Sequence, residues 1–475
     1  MVRQSFPLRS FRLALASAAL LLAWGGAAQA GIVTTGPSPQ PLASCPVNGL
    51  PGLCLVDTGA QVQGFVSDYS AVRIGRGGNG SLVIDSDASL LVNRTELAPG
   101  VPSSPNVIIG DDPGARGLLS VINGGRLTLT VPDSGNGSGG LLIGPFAAPA
   151  DATGVSTAVV IGNGSAVQVD KPGGFGVAAA VGVGVGAGSN STLVLDGGIG
   201  NFGSPALGAR LDTSGNLSVG REGTGSVDLT RNAHLTADVV YLAALGAQGQ
   251  ATVEVNIGST LQASTILAGI GLGAGPGGYD ATNPNHGRAV ISTKDTGLIS
   301  GNIVLGTGGT LMGTGTLGGS VLNLGGTIKP GFSPGTLHIG GDYTDLDGHV
   351  EIEIGPGAAD FIQVGGNLSL DGTSIVFSFL DGFAPGAGFS YTFLDADGSV
   401  DLQHLSYSFI GLQEGFGFTV DSTPGSGQLV FRALTDGVAV PEPGTTALLA
   451  AAAVAAAFAR RRVAKPGKAG THWSA

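Results

Sequence analysis

The chain has 475 residues, of which 86 are glycine, and it is 42% hydrophobic, 11% charged and 5% aromatic. Glycine stands far above its usual ~7%, yet no Gly-X-Y period is present, which excludes collagen. A mean hydropathy of +0.33 excludes a charged, hydrophobe-poor disordered chain. Long charged heptads are absent, so a coiled coil is excluded and a helical bundle is disfavoured. These properties indicate a long β protein with many tight turns.

The charge balance argues against a nucleic-acid partner. Of 21 basic and 33 acidic residues, eight basic residues and one acidic residue lie in 1–30 and 441–475. The remainder holds 13 basic and 32 acidic residues, a net charge of about −19. Such a surface repels phosphate backbones and anionic lipids, and it tolerates cations and neutral polymers.

Residues 1–30 have the organisation of a secretory signal peptide. Three arginines precede an apolar run over 13–24, and Ala28-Gln29-Ala30 is a small-x-small cleavage site. The run is shorter than the ~20 apolar residues that a membrane-spanning helix needs. We expect cleavage between Ala30 and Gly31. No twin-arginine pair is present, so export through the Sec translocon is expected.

A second signal occupies residues 440–475. Pro441-Glu442-Pro443 precedes an apolar segment at 444–459, then Arg460-Arg461-Arg462 and a basic tail. As a helix the segment reaches only ~24 Å, short of a ~30 Å hydrocarbon core, but snorkelling arginines can cover the difference. The positive-inside rule keeps the arginines cytoplasmic, as a stop-transfer signal at the inner membrane. Two alternatives follow: a plain single-span anchor, or a processed sorting tag.

The order of these three elements resembles the PEP-CTERM sorting signal of Gram-negative bacteria. The resemblance implies that an exosortase, a membrane enzyme similar to transpeptidases, recognises Pro441, Glu442 and Pro443 and removes the tail. These three residues are then features of a substrate and have no catalytic role. The resemblance also implies a bacterium that makes exopolysaccharide, and a surface or matrix protein.

The middle of the chain repeats one theme: apolar residues, a glycine, a polar turn and alternating apolar residues. Val72-Arg73-Ile74-Gly75 is one instance, and the equivalent glycines, 34 to 40 residues apart, are Gly75, Gly110, Gly144, Gly184 and Gly220. Glycine and asparagine supply positive-φ corners between short strands. Such strands bury their apolar face only when neighbouring coils stack. The pattern predicts a parallel β-helix, with a β-sandwich array as the alternative.

Residues 308–343 resemble the passenger-associated repeat of autotransporters, most clearly at Pro330-Gly331-Phe332-Ser333-Pro334-Gly335-Thr336. That repeat lies on a right-handed parallel β-helix, which is the fold that the resemblance implies here. Only about 100 residues lie between this segment and the sorting tail, and no terminal barrel strand is recognisable. We therefore expect a β-helix similar to that of autotransporter passengers, exported by a route other than an autotransporter barrel.

The predicted organisation is all-β. A cap or loop region at 31–70 leads into a glycine-rich solenoid at 71–343 and a C-terminal β cap at 344–439. The cap is inferred from its phenylalanines, since aromatic side chains fill a wider core and a solenoid needs its last coil covered. These are Phe377, Phe379, Phe383, Phe389, Phe393, Phe409, Phe416, Phe418 and Phe431.

Cys45 and Cys54 are the two cysteines, and they flank a loop rich in proline and glycine. After export they are expected to form a structural disulfide, which stabilises by about 2–3 kcal/mol through loop closure. Redox chemistry is disfavoured because no Cys-x-x-Cys is present.

The remaining chemical motifs favour structural roles. Gly331-Phe332-Ser333-Pro334-Gly335 spells Gly-x-Ser-x-Gly, but Pro334 lacks the N–H that an oxyanion hole needs. The histidines lack metal-ligand spacing, so no metal or cofactor is expected. Asp345/Asp347 and Asp395/Asp397 precede glycines and could bind calcium weakly, although Asx turns explain them more simply.

The sequence thus predicts an exported, non-enzymatic protein. It would be a membrane-anchored precursor that becomes a structural or adhesive component of the cell surface or extracellular matrix, associated with exopolysaccharide and biofilm. The alternative is a β-helix enzyme acting on polysaccharide, a lyase or a hydrolase, because carboxylates are present. A glycosidase needs two of them fixed across a cleft.

Overall fold

The computed structural model describes six early strands between residues 33 and 93 and then residues 106–110, 116–131, 140–144, 156–171, 179–198, 208–244, 246–273, 278–332, 334–422 and 426–439. Every regular element in these residues is a β-strand. Side chains are described from Ile74 onward, within those residues.

The strands form a three-sided parallel solenoid, in which each strand generally pairs with the strand three places further along the chain. This repeated parallel pairing excludes the β-sandwich alternative. Twelve successive coils are present in the described part of the chain. The pairings do not define the hand of the coil, so right-handed winding stays a prediction.

Each side of the solenoid is a ladder of strands. The first face consists of β1 (Val33–Thr34), β2 (Leu53–Val56), β5 (Gly80–Ile84), β8 (Gly117–Val121), β11 (Ser156–Ile161), β14 (Asn190–Asp196), β17 (Thr224–Thr230), β20 (Gln250–Val255), β24 (Arg288–Thr293), β26 (Gly309–Gly313), β29 (Thr327–Pro330), β32 (His349–Ile354), β35 (Ser374–Phe379) and β38 (Ser406–Ile410). The second face consists of β3 (Gln61–Gly64), β6 (Ser89–Asn93), β9 (Arg126–Thr130), β12 (Ala166–Asp170), β15 (Arg210–Thr213), β18 (His234–Thr236), β21 (Thr260–Ala268), β25 (Leu298–Leu305), β27 (Thr316–Leu317), β30 (Thr336–Ile339), β33 (Phe361–Val364) and β36 (Ser390–Ala396).

The third face includes the second halves of β21 and β25, which continue onto it from the second face. Its other strands are β4 (Ala71–Ile74), β7 (Asn106–Ile109), β10 (Gly140–Ile143), β13 (Val181–Val183), β16 (Leu217–Val219), β19 (Val239–Leu242), β28 (Val321–Leu324), β31 (Tyr343–Leu346), β34 (Leu368–Asp371) and β37 (Val400–Gln403). Four strands lie outside the three ladders: β22 (Gly271–Leu272), β23 (Tyr279–Asp280), β39 (Phe418–Ser422) and β40 (Gln428–Ala433).

The repeated glycines end third-face strands, as the sequence pattern predicts. Gly110, Gly144, Gly184 and Gly220 follow β7, β10, β13 and β16, and all four have positive φ between 62° and 73°. Residues with a Cβ rarely adopt this conformation. One spacing of 34 to 40 residues therefore corresponds to one coil.

The interior is built from columns of aliphatic side chains, one from each coil. On the first face, one column places buried residues in parallel register; its members are Leu119, Val159, Leu193, Val227, Val253, Ile291, Leu311, Ile328, Val350 and Ile375. Successive coils lie ~4.8 Å apart, so the members of a column touch. Alternate residues point outward, and they form the surface columns described below.

Parallel pairing extends across both predicted boundaries of the solenoid. β2 and β3, within 31–70, pair with β5 and β6, and the ladders run past residue 343 to β37 and β38. The change toward the C-terminal end is therefore one of core filling, because phenylalanines join the buried aliphatic residues from Phe377 onward. At this end of the solenoid, β40 runs in the opposite direction and pairs antiparallel with β36 and β39. There Phe377 packs against Phe431 with ring centroids 4.8 Å apart.

Candidate functional site

Two carboxyl groups lie side by side on the outer surface of the first face. Asp228 on β17 and Glu254 on β20 occupy directly opposite register positions in neighbouring coils. Lys294 Nζ lies 3.8 Å from Glu254 Oε2. Burial, reinforced by the charge of Glu254, raises the pKa of Asp228 to about 6, although Lys294 acts in the opposite direction.

The surroundings of this pair combine a polar group with an aromatic ring. Ser292 follows Glu254 in the same column and is 3% exposed, and its hydroxyl has no hydrogen-bond partner among the described residues. Lys294 Nζ also lies 4.4 Å from the ring centroid of Phe332, a residue that is 41% exposed. The site offers a carboxylic acid that is partly protonated near neutral pH beside a second carboxyl group and an amine. Perturbed carboxyl pairs of this kind occur both in acid–base catalysis and in structural networks.

The sequence motifs did not single out Asp228, Glu254 or Lys294. The two carboxyl residues lie in segments with period-two alternation, Ser226-Val227-Asp228-Leu229 and Thr252-Val253-Glu254-Val255. Alternation alone places both side chains on the outside. Their juxtaposition additionally requires the register between two coils, which no local pattern specifies.

The acidic residues near 345 have a structural role. Asp345 is fully buried, and its Oδ1 accepts a hydrogen bond of 2.8 Å from Gly348 N, as the turn interpretation expects. Asp347 is exposed and has a positive φ of 55°. No group of three or more His, Cys, Asp or Glu side chains within the described ranges could hold a metal ion.

The Gly-x-Ser-x-Gly sequence forms a turn between coils. Gly331 has a φ of 83° and donates a hydrogen bond to Gly313 O, and Gly335 N donates one of 2.8 Å to Asp360 Oδ1. Asp360 is 1% exposed and also accepts a hydrogen bond from Glu353 N. Burial raises the pKa of Asp360 to about 7, although both hydrogen bonds oppose the rise. Ser333 lies outside the described residues.

The last described segment, Leu434 to Ala439, is held against the C-terminal end of the solenoid; we call it the C-terminal strap. Gln413 N donates a hydrogen bond of 2.8 Å to Val438 O, and Ala439 forms an antiparallel bridge with Leu412. Further bonds run from Gly437 N to Pro385 O, from Ala387 N to Asp436 Oδ1 and from Leu434 N to Gly417 O. The strap therefore ends two residues before Pro441.

Most of the predicted site residues lie outside the described part of the chain. These are Ala30, Gly31, Cys45, Pro441, Glu442, Pro443, Arg460, Arg461 and Arg462. Cys54 lies in β2, but its side chain is outside the description, so the Cys45–Cys54 disulfide stays a prediction. Within the described residues, no helix is long and apolar enough to cross a membrane.

Residues 439–462 match the PEP-CTERM protein-sorting motif. No curated protein matches the chain. The chain thus carries a PEP-CTERM sorting signal, which confirms the resemblance seen in its sequence. The motif indicates an exported, membrane-anchored precursor that an exosortase-type system processes and sorts to the cell surface.

Proposed function

We propose that this protein is a structural and adhesive component of the exopolysaccharide matrix and that it lacks enzymatic activity. Support comes from the continuity of the solenoid, whose ladders run from β2 to β38 without interruption. Such a body is a rigid rod with repeating faces, suited to contacts at many points along a polymer.

Polar columns on the surface of the rod support an adhesive role. One outward column of the first face holds a serine or threonine in seven of nine successive coils; its members are Thr192, Ser226, Thr252, Val290, Thr310, Thr327, His349, Ser374 and Ser406. Hydroxyl groups repeated at the ~4.8 Å coil spacing can exchange hydrogen bonds with the hydroxyls of a glycan.

Co-sedimentation with exopolysaccharide isolated from the producing bacterium tests this proposal. We expect the exported protein to pellet with the polymer, and a strain that lacks the protein to form a weaker matrix. A protein that stays in the supernatant, together with an unchanged matrix in the deletion strain, would contradict the matrix role.

The route to the surface is part of the proposal. We propose Sec export, cleavage after Ala30 and transient anchoring in the inner membrane by residues 444–459, before exosortase removes the tail. Mass spectrometry of both termini of the exported protein tests this. The expected N-terminus is Gly31, and the expected C-terminus lies near Pro441. An intact tail through Ala475 in the cell-free fraction would contradict removal of the tail.

The Asp228–Glu254 pair favours a second candidate function, cleavage of polysaccharide. Adjacent strands place the two residues one coil apart, comparable to the ~5 Å separation of carboxyl groups in retaining glycosidases. Reducing-sugar release and formation of unsaturated uronate, measured on the isolated exopolysaccharide, test for hydrolase and lyase activity. Activity that D228N and E254Q both abolish would establish the enzyme; no turnover by the wild-type protein would favour the scaffold.

A further inference from the structure

The segment between β21 and β24 is an insertion between two successive coils, which leaves the ladders continuous, and it covers part of the third face. It contains the antiparallel pair β22–β23, and Asn283 Nδ2 donates a hydrogen bond of 2.7 Å to Leu272 O within it. Tyr279 and Leu272 pack on a small apolar cluster outside the main core, which includes Leu267 and Val304. This insertion therefore fixes an aromatic side chain, that of Tyr279, against strand residues of the third face.

A cavity of about 380 Å³ lies beside this insertion. Tyr279 lines it, together with Val304, Leu322 and Thr344, which lie in register on three successive coils. The lining thus combines one aromatic ring with an apolar strip that ends in a hydroxyl group.

A column of polar residues at the corner between the second and third faces forms another side of the cavity. Ser320 N donates a hydrogen bond of 3.0 Å to Asn302 Oδ1, and Asp342 N donates one of 3.0 Å to Ser320 Oγ. Asp342 Oδ1 in turn accepts a hydrogen bond of 2.7 Å from Asn367 N. Each side chain is thus held in place by the backbone of the next coil.

This arrangement leaves hydrogen-bonding capacity available in the cavity. Asn302 Nδ2, Asp342 Oδ2 and the Thr344 hydroxyl have no hydrogen-bond partner among the described residues. The three groups supply a donor, an acceptor and a group that does both. Because the side chains of Asn302 and Asp342 are already oriented by the fold, a ligand would lose little entropy in ordering them.

We propose that this cavity is a binding subsite for a short segment of a neutral glycan; the inference rests on the matrix function proposed above. An aromatic ring and an apolar strip suit the C–H faces of sugar rings, and the amide, carboxylate and hydroxyl groups suit their hydroxyls. Asp342 is the only charged residue of the lining. A net charge of about −19 between the two terminal signals disfavours acidic polysaccharide.

The coil geometry supports an extended ligand. Asn302, Ser320 and Asp342 lie on successive coils ~4.8 Å apart, a repeat comparable to the length of one sugar unit in a β-linked chain. The cavity therefore fits two or three sugar units laid along the solenoid axis. One carboxylate is insufficient for glycosidase chemistry, which uses a pair, so the subsite binds and does not cleave.

Titration calorimetry of the full exported protein with defined oligosaccharides tests the subsite. The probes are cellohexaose and laminarihexaose as neutral chains and hexagalacturonic acid as the acidic control. We expect binding of at least one neutral chain and none of the acidic one. Y279A should weaken binding about tenfold or more, and T344V, which keeps the shape of the side chain, about threefold to tenfold.

Y407A is the matched control, because Tyr407 is 37% exposed on β38, far along the chain from the cavity. It should leave affinity unchanged. Equal affinity for the wild type, Y279A and T344V, or no binding of either neutral probe, would overturn the subsite. If the protein then still sediments with its exopolysaccharide, the matrix function stands without this subsite. If sedimentation is lost as well, both proposals fail.

Discussion

Asn323 Nδ2 donates a hydrogen bond of 2.7 Å to Asp345 Oδ2 in the interior of the solenoid, where neither residue is exposed to solvent. Asp345 also accepts hydrogen bonds from the Tyr343 hydroxyl, Gly348 N and the Thr373 hydroxyl. Asn323 and Thr373 belong to the coils on either side of Asp345. A single buried carboxylate therefore connects three successive coils and specifies their register.

Asp345→Ala should destabilise the protein strongly. The substitution leaves four buried donors without their acceptor, and each unsatisfied group costs about 1–3 kcal/mol. We expect the free energy of unfolding to fall by at least about 3 kcal/mol, measured by urea denaturation. Asp397→Ala is the control, because Asp397 is exposed, and it should change stability by less than about 0.5 kcal/mol. Equal effects of the two substitutions would show that the buried network is unimportant.

Gly220 tests the repeated glycine pattern. Its φ is 64°, and a Cβ at this position would overlap the backbone carbonyl of Gln250 in the next coil. Gly220→Ala should therefore cost at least about 2 kcal/mol, from left-handed strain and from displacement of the neighbouring coil. Gly357→Ala is the matched control, since a Cβ there meets nothing within 4 Å. It should be neutral in the same denaturation experiment.

The glycine pattern was predictable because it is local. In the earlier coils, from β7 to β19, a residue with positive φ follows each third-face strand, and glycine occupies that position at Gly110, Gly144 and Gly184. The regular spacing of these glycines is visible in the sequence alone. Period-two alternation likewise identified which side chains point inward. Both signals depend only on neighbours in the sequence.

The later coils were harder to predict because their repeat shortens. Paired residues of β26 and β29, Thr310 and Thr327, are only 17 positions apart, and strand β27 has two residues, too few to show alternation. The cavity beside Tyr279 was also missed. Its lining joins an insertion to side chains from several coils, and this grouping requires the register of every coil between them.

Asp360 should make stability depend on pH. Burial raises the pKa of its carboxyl group in the folded protein to about 7, from the ordinary value of 3.8 for an aspartate. Between these values the folded state binds more protons than the unfolded state, so this group's contribution to stability falls as pH rises from about 4 to 7 and is constant above. One pKa unit corresponds to about 1.4 kcal/mol, so titration of Asp360 can lower the free energy of unfolding by at most on the order of 4 kcal/mol over this pH range.

Asp360→Asn should remove that contribution. We expect the free energy of unfolding of D360N to rise relative to that of the wild type as pH increases. Denaturation of both proteins from about pH 4 to pH 8 measures this difference. Asp228, with a pKa of about 6, makes the stability of both proteins fall with rising pH in the same way. Its contribution therefore drops out of the difference between the wild type and D360N. Asp397→Asn, at an exposed position, should track the wild type. A D360N curve parallel to wild type would rule out titration of Asp360 in this range.

The C-terminal strap should limit access of exosortase to its recognition sequence. Two extended residues reach only about 7 Å, so the enzyme must take up Pro441 close to the folded end unless the strap detaches. Release requires breaking the bonds of Val438 O with Gln413 N and of Gly437 N with Pro385 O. A flexible Gly-Ser insertion after Ala439 should therefore accelerate conversion of precursor to mature protein, followed by pulse–chase and immunoblotting in the producing bacterium.

The same insertion after Gly357, an exposed turn residue with open space around it, is the control and should leave the processing rate unchanged. Gly437→Val should act like the strap insertion, because a side chain there presses on Pro385 and Leu412 at 3.0 to 3.3 Å. Slower processing with the strap insertion would reverse the interpretation, since it would mean that exosortase recognises the folded end together with Pro-Glu-Pro and needs the strap to hold the two in fixed relation.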